Sequence, residues 1–245
     1  MSGGTSAAVV IVGNEILSAK VRDENGPFLL SRLRELGVDA RRLLVVADEI
    51  DEIVWAIASL RREVDWILTT GGVGPTHDDV TVAGVARALG RPVVRHPDLV
   101  ALVERHYGAG VEAAAFRLAD VPAGAELVYQ PGIWIPALQV ERIVLLPGVP
   151  QLCRIQFEAV APRLTGNPFT LKAVYVSAGE PAIAAALDAV ADGHPRVALG
   201  SYPRFDREAD HKVKLTLESR DAAAVAKALE DLLARLPEGC VLRQE

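Results

Sequence analysis

Ala7-Ala8-Val9-Val10-Ile11-Val12 is six consecutive apolar residues with no polar position to turn toward water, and it stops at Gly13. A strand that shows water one face alternates polar with apolar side chains. An unbroken apolar run this short instead predicts a strand covered on both sides, which is the environment of a parallel sheet. The pattern then repeats. Phe28, Leu29, Leu33 and Leu36 recur at helical spacing ahead of Gly37, a natural helix C-cap. Leu43 to Val46 is a second strand; Asp48 is placed to cap a helix whose stripe is Ile50, Val54, Ile57 and Leu60. Asp65 to Thr70 is a third strand, followed by a helix carrying Val82, Val85, Ala86 and Leu89 and closed by Gly90 and Pro92. Strands alternating with helices through short turns predict an α/β fold, a doubly wound and mostly parallel sheet. A hydrophobic content of 50% in 245 residues is ample for its core.

Further on, Pro97 to Tyr107 and Val111 to Ala119 read as helices, Gln130 to Pro136 as a loop, and Ile143 to Leu146 as an apolar strand. That strand enters Pro147-Gly148-Val149-Pro150 and a helix with Leu152, Ile155, Phe157 and Val160, for which Pro150 suits the first turn. Composition breaks at Arg163 to Pro168. The expected organisation is a main domain over 1–166 and a small α+β domain over 167–245. The latter runs as strand (Leu171 to Val176), helix (Pro181 to Val190), two strands (Val197 to Tyr202 and Lys212 to Glu218) and helix (Ala222 to Leu236).

The chemistry concentrates in Thr69 to Thr81, TTGGVGPTHDDVT. Gly71, Gly72 and Gly74 let the backbone approach a ligand and turn N–H groups toward an anion. A helix start beyond them adds partial positive charge. Asp78 and Asp79 would repel a phosphate there unless a cation lay between, so the segment predicts a phosphate site assembled through a divalent metal such as Mg²⁺. Parallel strands put their C-terminal loops on one edge. Gly13 to Ser18, the glycine loop and Leu146 to Pro150 are therefore expected to converge, bringing together Glu15, Ser18, Thr76, His77, Asp78, Asp79 and Thr81. Asp78 or Asp79 with Glu15 could hold magnesium, which takes few carboxylates and keeps its waters, and the water it binds could then be activated for attack on phosphorus. Against this stand plainer roles: helix capping for the aspartates, a solvated loop position for Glu15, a surface position for His77, and caps for Asp23 and Asn25.

Other classes recede. A net charge of −6 argues against general nucleic-acid binding. No apolar run is long enough to span a bilayer and no signal peptide is visible, so the expected location is the cytoplasm. Cys153 and Cys240 have no metal-knuckle spacing and are expected to be inert structural thiols. His96, His106, His194 and His211 receive no role, and Arg204, Arg207, His211 and Lys212 read as a solvated basic loop. G-x-S-x-G, HExxH and the dinucleotide G-x-G-x-x-G are absent.

TGGVGPTHDDVT (Thr70–Thr81), with VGNEILS (Val12–Ser18), DEN (Asp23–Asn25) and LPGVP (Leu146–Pro150), resembles the molybdopterin-binding-like family. The branch is that of the N-terminal region of competence/damage-inducible protein A, also fused to eukaryotic FAD synthase. GSYPR (Gly200–Arg204) and VKLTLESRD (Val213–Asp221) are similar to the small domain of that branch. The resemblance implies a sheet of molybdopterin-binding type and a loop that holds a pterin or adenylyl phosphate with magnesium. It also implies activity like that of metal- and potassium-dependent pyrophosphatases acting on ADP-ribose or FAD, and assembly into a dimer or trimer. On it, Gly71, Gly72, Gly74, Thr76, Asp78 and Asp79 form the phosphate and metal loop, Glu15 is the acidic residue after the first strand, and Pro147, Gly148 and Pro150 form the second ligand loop. Two departures stand out. His77 replaces the lysine of many bacterial members, and an imidazole is a weaker cation for a phosphate than an ammonium. The Gln130–Pro136 loop lacks the usual asparagine-led sequence, so Trp134 is expected to alter the pocket mouth.

The functional expectation is hydrolysis of the pyrophosphate bond of ADP-ribose, FAD or a related adenine dinucleotide. The alternatives are a molybdopterin-binding protein of cofactor biosynthesis and a nucleotide-sensing module without turnover.

Overall fold

The computed structural model describes residues 4–108, 110–206 and 210–245, in two units that divide after Asn167. In the first, β1 (Ser6–Val12), β2 (Asp39–Val46), β3 (Trp66–Thr70), β6 (Glu126–Val128), β7 (Ala137–Val140) and β8 (Ile143–Leu146) form a sheet of order β2-β1-β3-β8-β7-β6. β2, β1, β3 and β8 run parallel; β7 pairs antiparallel with β8, and β6 antiparallel with β7. Helices α1 (Asn14–Leu17), α2 (Asn25–Glu35), α3 (Ile50–Leu60), α4 (Thr81–Ala88), α5 (Pro97–Tyr107) and α6 (Pro150–Val160) follow or connect the strands, and β4 (Val93–Arg95) pairs with β5 (Asp120–Pro122) apart from the main sheet.

The apolar run of β1 is explained by two cores. Ala7, Val9 and Ile11 face the one that contains Leu29 and Leu33 of α2 and Phe157 of α6; Ala8, Val10 and Val12 face the other, with Ile53 and Ile57 of α3 and Val85 of α4. Each successive side chain points to the opposite face, so both sets must be apolar. After β1 the chain adds β2 on one side and then β3 on the other. The order of connection therefore reverses between β1 and β3, and a crevice opens there beyond the strand ends.

The second unit has β9 (Thr170–Val176), α7 (Glu180–Gly193), β10 (Ala198–Pro203), β11 (Val213–Ser219), α8 (Ala222–Arg235) and β12 (Val241–Gln244), with sheet order β10-β11-β9-β12. Val174, Val176, Leu215 and Leu217 pack on Ile183 of α7 and Leu232 of α8.

Several expectations need correction. The helix expected over Val111 to Ala119 is a 3₁₀ helix and begins two residues later, at Ala113. Asp48 does not cap α3, which has no side-chain cap; its carboxylate accepts the Asn14 N–H at 2.7 Å. β12 adds a last strand to the small unit, an edge strand whose Leu242, Arg243 and Gln244 are exposed and carry no apolar alternation. His211 is buried rather than solvated, bonded to Asp210 and packed edge-on against the Tyr175 ring at 4.8 Å. Arg207 lies outside the described residues.

Candidate functional site

β3 ends in Thr69 and Thr70, polar yet buried. Thr70 donates its hydroxyl to the Pro147 carbonyl at 2.9 Å and accepts from Asn25 Nδ2 at 2.9 Å, and the same amide donates to the Gly148 carbonyl at 2.8 Å. The Gly148 carbonyl can only accept, and the Thr70 hydroxyl proton is directed to Pro147, so the Asn25 NH₂ faces both. Asp23 Oδ1 takes the N–H groups of Asn25 and Gly26 at 2.9 and 3.0 Å, so the DEN segment caps α2 and ties it to two strand ends.

From Thr70 the chain enters the glycine loop. Gly71 has φ +99°, and a Cβ there would lie 2.1 Å from the Val12 carbonyl oxygen. Only a residue without Cβ lets this loop lie against the end of β1. Gly71 N–H donates to the Leu146 carbonyl at 3.1 Å, so the loop is fastened to β8 on its other side. Thr81 closes the loop from below: its hydroxyl donates to the Gly71 carbonyl at 2.8 Å and its N–H to the Gly72 carbonyl at 2.9 Å. Thr81 is fully buried and shapes the loop from outside the cavity.

The two aspartates differ. Asp79 Oδ2 accepts from the Thr76 N–H at 2.7 Å and from the Thr76 hydroxyl, an internal clasp across the Gly74–Asp79 turn. Asp78 makes no such clasp, and its side chain is 61% exposed. Neither caps α4, which has no side-chain cap.

A cavity of about 600 Å³ opens where these loops meet. That falls within the range of small-molecule sites. Glu15 after β1, Asp48 after β2, Gly71, Gly72, Gly74, Asp78 and Asp79 after β3, and Pro147 and Gly148 after β8 all line it. Three other expected site residues are not brought to it. The Ser18 hydroxyl donates to the Asn14 carbonyl at 2.7 Å and ends α1. Thr76 is exposed and spends its hydroxyl on Asp79. The His77 side chain is 94% exposed at the loop tip.

Sequence reasoning missed four participants. Asp48 was read as a cap, although its place after β2 is the same strand-end signal that singled out Glu15. His106 and Tyr107 line the cavity from the end of α5, a position with no motif. Arg117 reaches the Pro75 and Thr76 carbonyls at 3.4 and 3.3 Å and sets a guanidinium beside the acidic loop. Trp134, expected at the mouth, lines the cavity and stacks on His106.

The donor set suits a hard cation, since carboxylates from three strand ends border one cavity. Among the described residues, however, no three His, Cys, Asp or Glu side chains converge as a metal cage. Such a set fits an ion that keeps several waters and shares phosphate oxygens, the habit of Mg²⁺. Cys153 stands apart beneath the site: burial pushes its thiol up to about 11, as befits an inert core residue. Among the described residues no helix is long and apolar enough to cross a membrane.

Residues 8–166 match the family described as "Probable molybdopterin binding domain", and residues 168–245 match "FAD synthase, middle domain". A protein of Archaeoglobus fulgidus is 30% identical over 222 residues, which are 91% of this chain and 94% of that protein. A Probable FAD synthase of Caenorhabditis elegans is 31% identical over 260 residues; the match takes in 94% of this chain but 50% of that enzyme. The crystal structure of the protein CinA from Thermoplasma acidophilum superimposes with a TM-score of 0.61 at 32% identity, over 65% of this chain and 98% of that one.

Proposed function

The chain belongs to the molybdopterin-binding domain family, joined to an FAD synthase middle domain, and from that membership we propose that its first unit hydrolyses the pyrophosphate bond of an adenine dinucleotide such as ADP-ribose or FAD. The observation that supports this most is the meeting, in one cavity, of the glycine loop with Glu15, Asp48, Asp78 and Asp79. Glycine-loop amides hold the diphosphate. The Thr76–Asp79 clasp keeps those amides in place before the ligand arrives, so little reorganisation is needed when charge builds up on phosphorus. Asp78 and Asp79 would hold a divalent cation, which supplies charge neutralisation for the diphosphate and a more acidic water. Glu15 orients the attacking water and accepts its proton. Water adds to one phosphorus, the bridging P–O bond breaks, and AMP leaves with the other monophosphate.

Purified protein incubated with ADP-ribose, FAD and NAD in Mg²⁺, Mn²⁺ or Co²⁺ with K⁺ tests the proposal. AMP should accumulate with at least one substrate and stop when a chelator removes the metal. No AMP under any combination would end it.

A second reading follows from the family description: a molybdopterin carrier that binds the pterin and leaves dinucleotides intact. Tight pterin binding with no AMP release favours it. A dimer or trimer, as the resemblance implies, is tested by light scattering on the same preparation.

A further inference from the structure

Besides the glycine loop, the cavity is lined by the rings of His106, Tyr107 and Trp134. His106 and Trp134 stack with centroids 4.0 Å apart and planes 6° from parallel. Tyr107 stands edge-on to both, at 4.9 Å from His106 and 5.9 Å from Trp134. These are not core residues. His106 is exposed, Tyr107 is 52% exposed and Trp134 is half-buried, whereas the ring that fills the adjoining core, Phe157, is fully buried. Three rings held together at the rim of a cavity, with so much of their surface wet, form an apolar patch of the kind that marks a binding site. Aliphatic side chains, Leu99, Leu118 and Ile135 among them, also line the cavity, and its carboxylates and glycines come from the loops after β1, β2, β3 and β8. The cavity therefore joins polar strand-end loops with a flat aromatic wall.

We infer that the His106–Trp134 stack, flanked by Tyr107, is the platform for the planar base of the ligand and makes this site select a nucleotide over a sugar phosphate. The inference rests on the phosphate-binding reading of the glycine loop and adds the part of the substrate that is recognised. A purine, flavin or pterin ring extends the existing stack by one layer. A ribose offers no π face and gains nothing there. Stacking is tolerant of the identity of the base, so the wall selects for a planar heterocyclic base as a class, and Trp134 is its specificity-determining residue. His106 acts as a positioning residue that holds the indole flat.

The test is calorimetry in Mg²⁺ with two probes, AMP and ribose 5-phosphate, on wild-type protein and on Trp134→Ala, Trp134→Phe and His106→Ala. Wild-type protein should bind AMP more tightly than ribose 5-phosphate. Trp134→Ala should weaken AMP roughly 5- to 150-fold, the range for one lost base–aromatic contact, with ribose 5-phosphate changed less than about twofold, and Trp134→Phe should recover most of the loss. AMP should also quench tryptophan fluorescence in the wild type but not in Trp134→Phe, where Trp55 and Trp66 remain. Should Trp134→Ala fail to fold, the exposed His106→Ala decides, with a smaller loss confined to AMP. Equal binding of the two probes by the wild type overturns the platform, as does an equal weakening of both in the variants. AMP release from a dinucleotide together with equal probe binding would remove the platform and leave hydrolysis standing. Selective AMP binding without cleavage of any dinucleotide would do the reverse.

Discussion

Asn25 reaches from the first turn of α2 to Thr70 at the end of β3, its amide 2.9 Å from the Thr70 hydroxyl and 2.8 Å from the Gly148 carbonyl. One buried side chain thereby fixes the spacing of two cavity-lining loops that are far apart in sequence. Its Oδ1 is buried without a partner, a cost the fold carries at the floor of the site. Asn25→Ala leaves the Gly148 carbonyl unpaired and should cost about 1–3 kcal/mol. Urea denaturation measures this, and hydrogen exchange at the Val149–Cys153 amides should rise with it.

Gly71 and Gly148 face each other across the loops, but only the first is conformationally committed. At Gly71 an added Cβ meets the Val12 carbonyl at 2.1 Å in a backbone with φ +99°; at Gly148 the nearest atom is Gly71 Cα at 3.4 Å. Gly71→Ala should lose at least about 2 kcal/mol through strain and forced backbone movement, and Gly148→Ala less than about 1 kcal/mol. Equal losses in thermal melts would contradict this account of the loop.

The clasp between Thr76 and Asp79 predicts which residues of the motif matter for ligand. Thr76→Val removes one donor to Asp79 and should weaken AMP binding about three- to tenfold, the worth of one ordinary hydrogen bond. Stability should stay within about 0.5 kcal/mol, because the site is exposed. His77→Ala, at a side chain 94% exposed, should leave affinity within about twofold. A larger effect at His77 than at Thr76 in the same titration would place the ligand on the outer side of the loop.

Asp65 gives a pH signature. Its carboxylate accepts the Ser6 N–H and hydroxyl, both at 2.8 Å, and these bonds hold its pKa below the ordinary value of 3.8. A depressed folded pKa contributes stability that is present above 3.8 and lost as pH falls through the lower folded value. Asp65→Asn should therefore be less stable than wild type at pH 5–7, by about 1 kcal/mol or less at this partly wet position. The difference should close as pH falls below 3.8, and guanidinium melts across pH 3–7 resolve it.

Cys153 serves as an internal reporter. With its thiol pushed up to about 11 by burial, it should not react with a thiol reagent at pH 8 in the folded protein. Cys240 is also buried and shifted upward. Reaction should appear for both only in denaturant; rapid labelling of Cys153 in the native chain would mean that the core under the site opens.

Much of this was legible in the residues. β1, β3 and β8 announced themselves because both faces of each strand are buried, which leaves an apolar run that no surface element would tolerate. The glycine loop was legible because φ values such as that of Gly71 exclude other side chains. The short strands β4, β5 and β6 were not, since three residues are too few to show a period. β12 was hidden for another reason: an edge strand exposes its side chains, so its composition resembles a loop.

Sequence alone determined the sheet class, the strand ends at which chemistry is possible and the glycine-only turns of the Gly71–Asp79 loop, because burial on two faces and positive φ act locally and restrict the residue at each position. Tertiary structure alone decided which strand-end residues share a cavity. It joined Asp48 to Glu15, turned Ser18 and His77 away, and set His106 on Trp134 across 28 positions of chain. Such meetings depend on strand order and helix packing, which are properties of the whole chain, and no single segment records them.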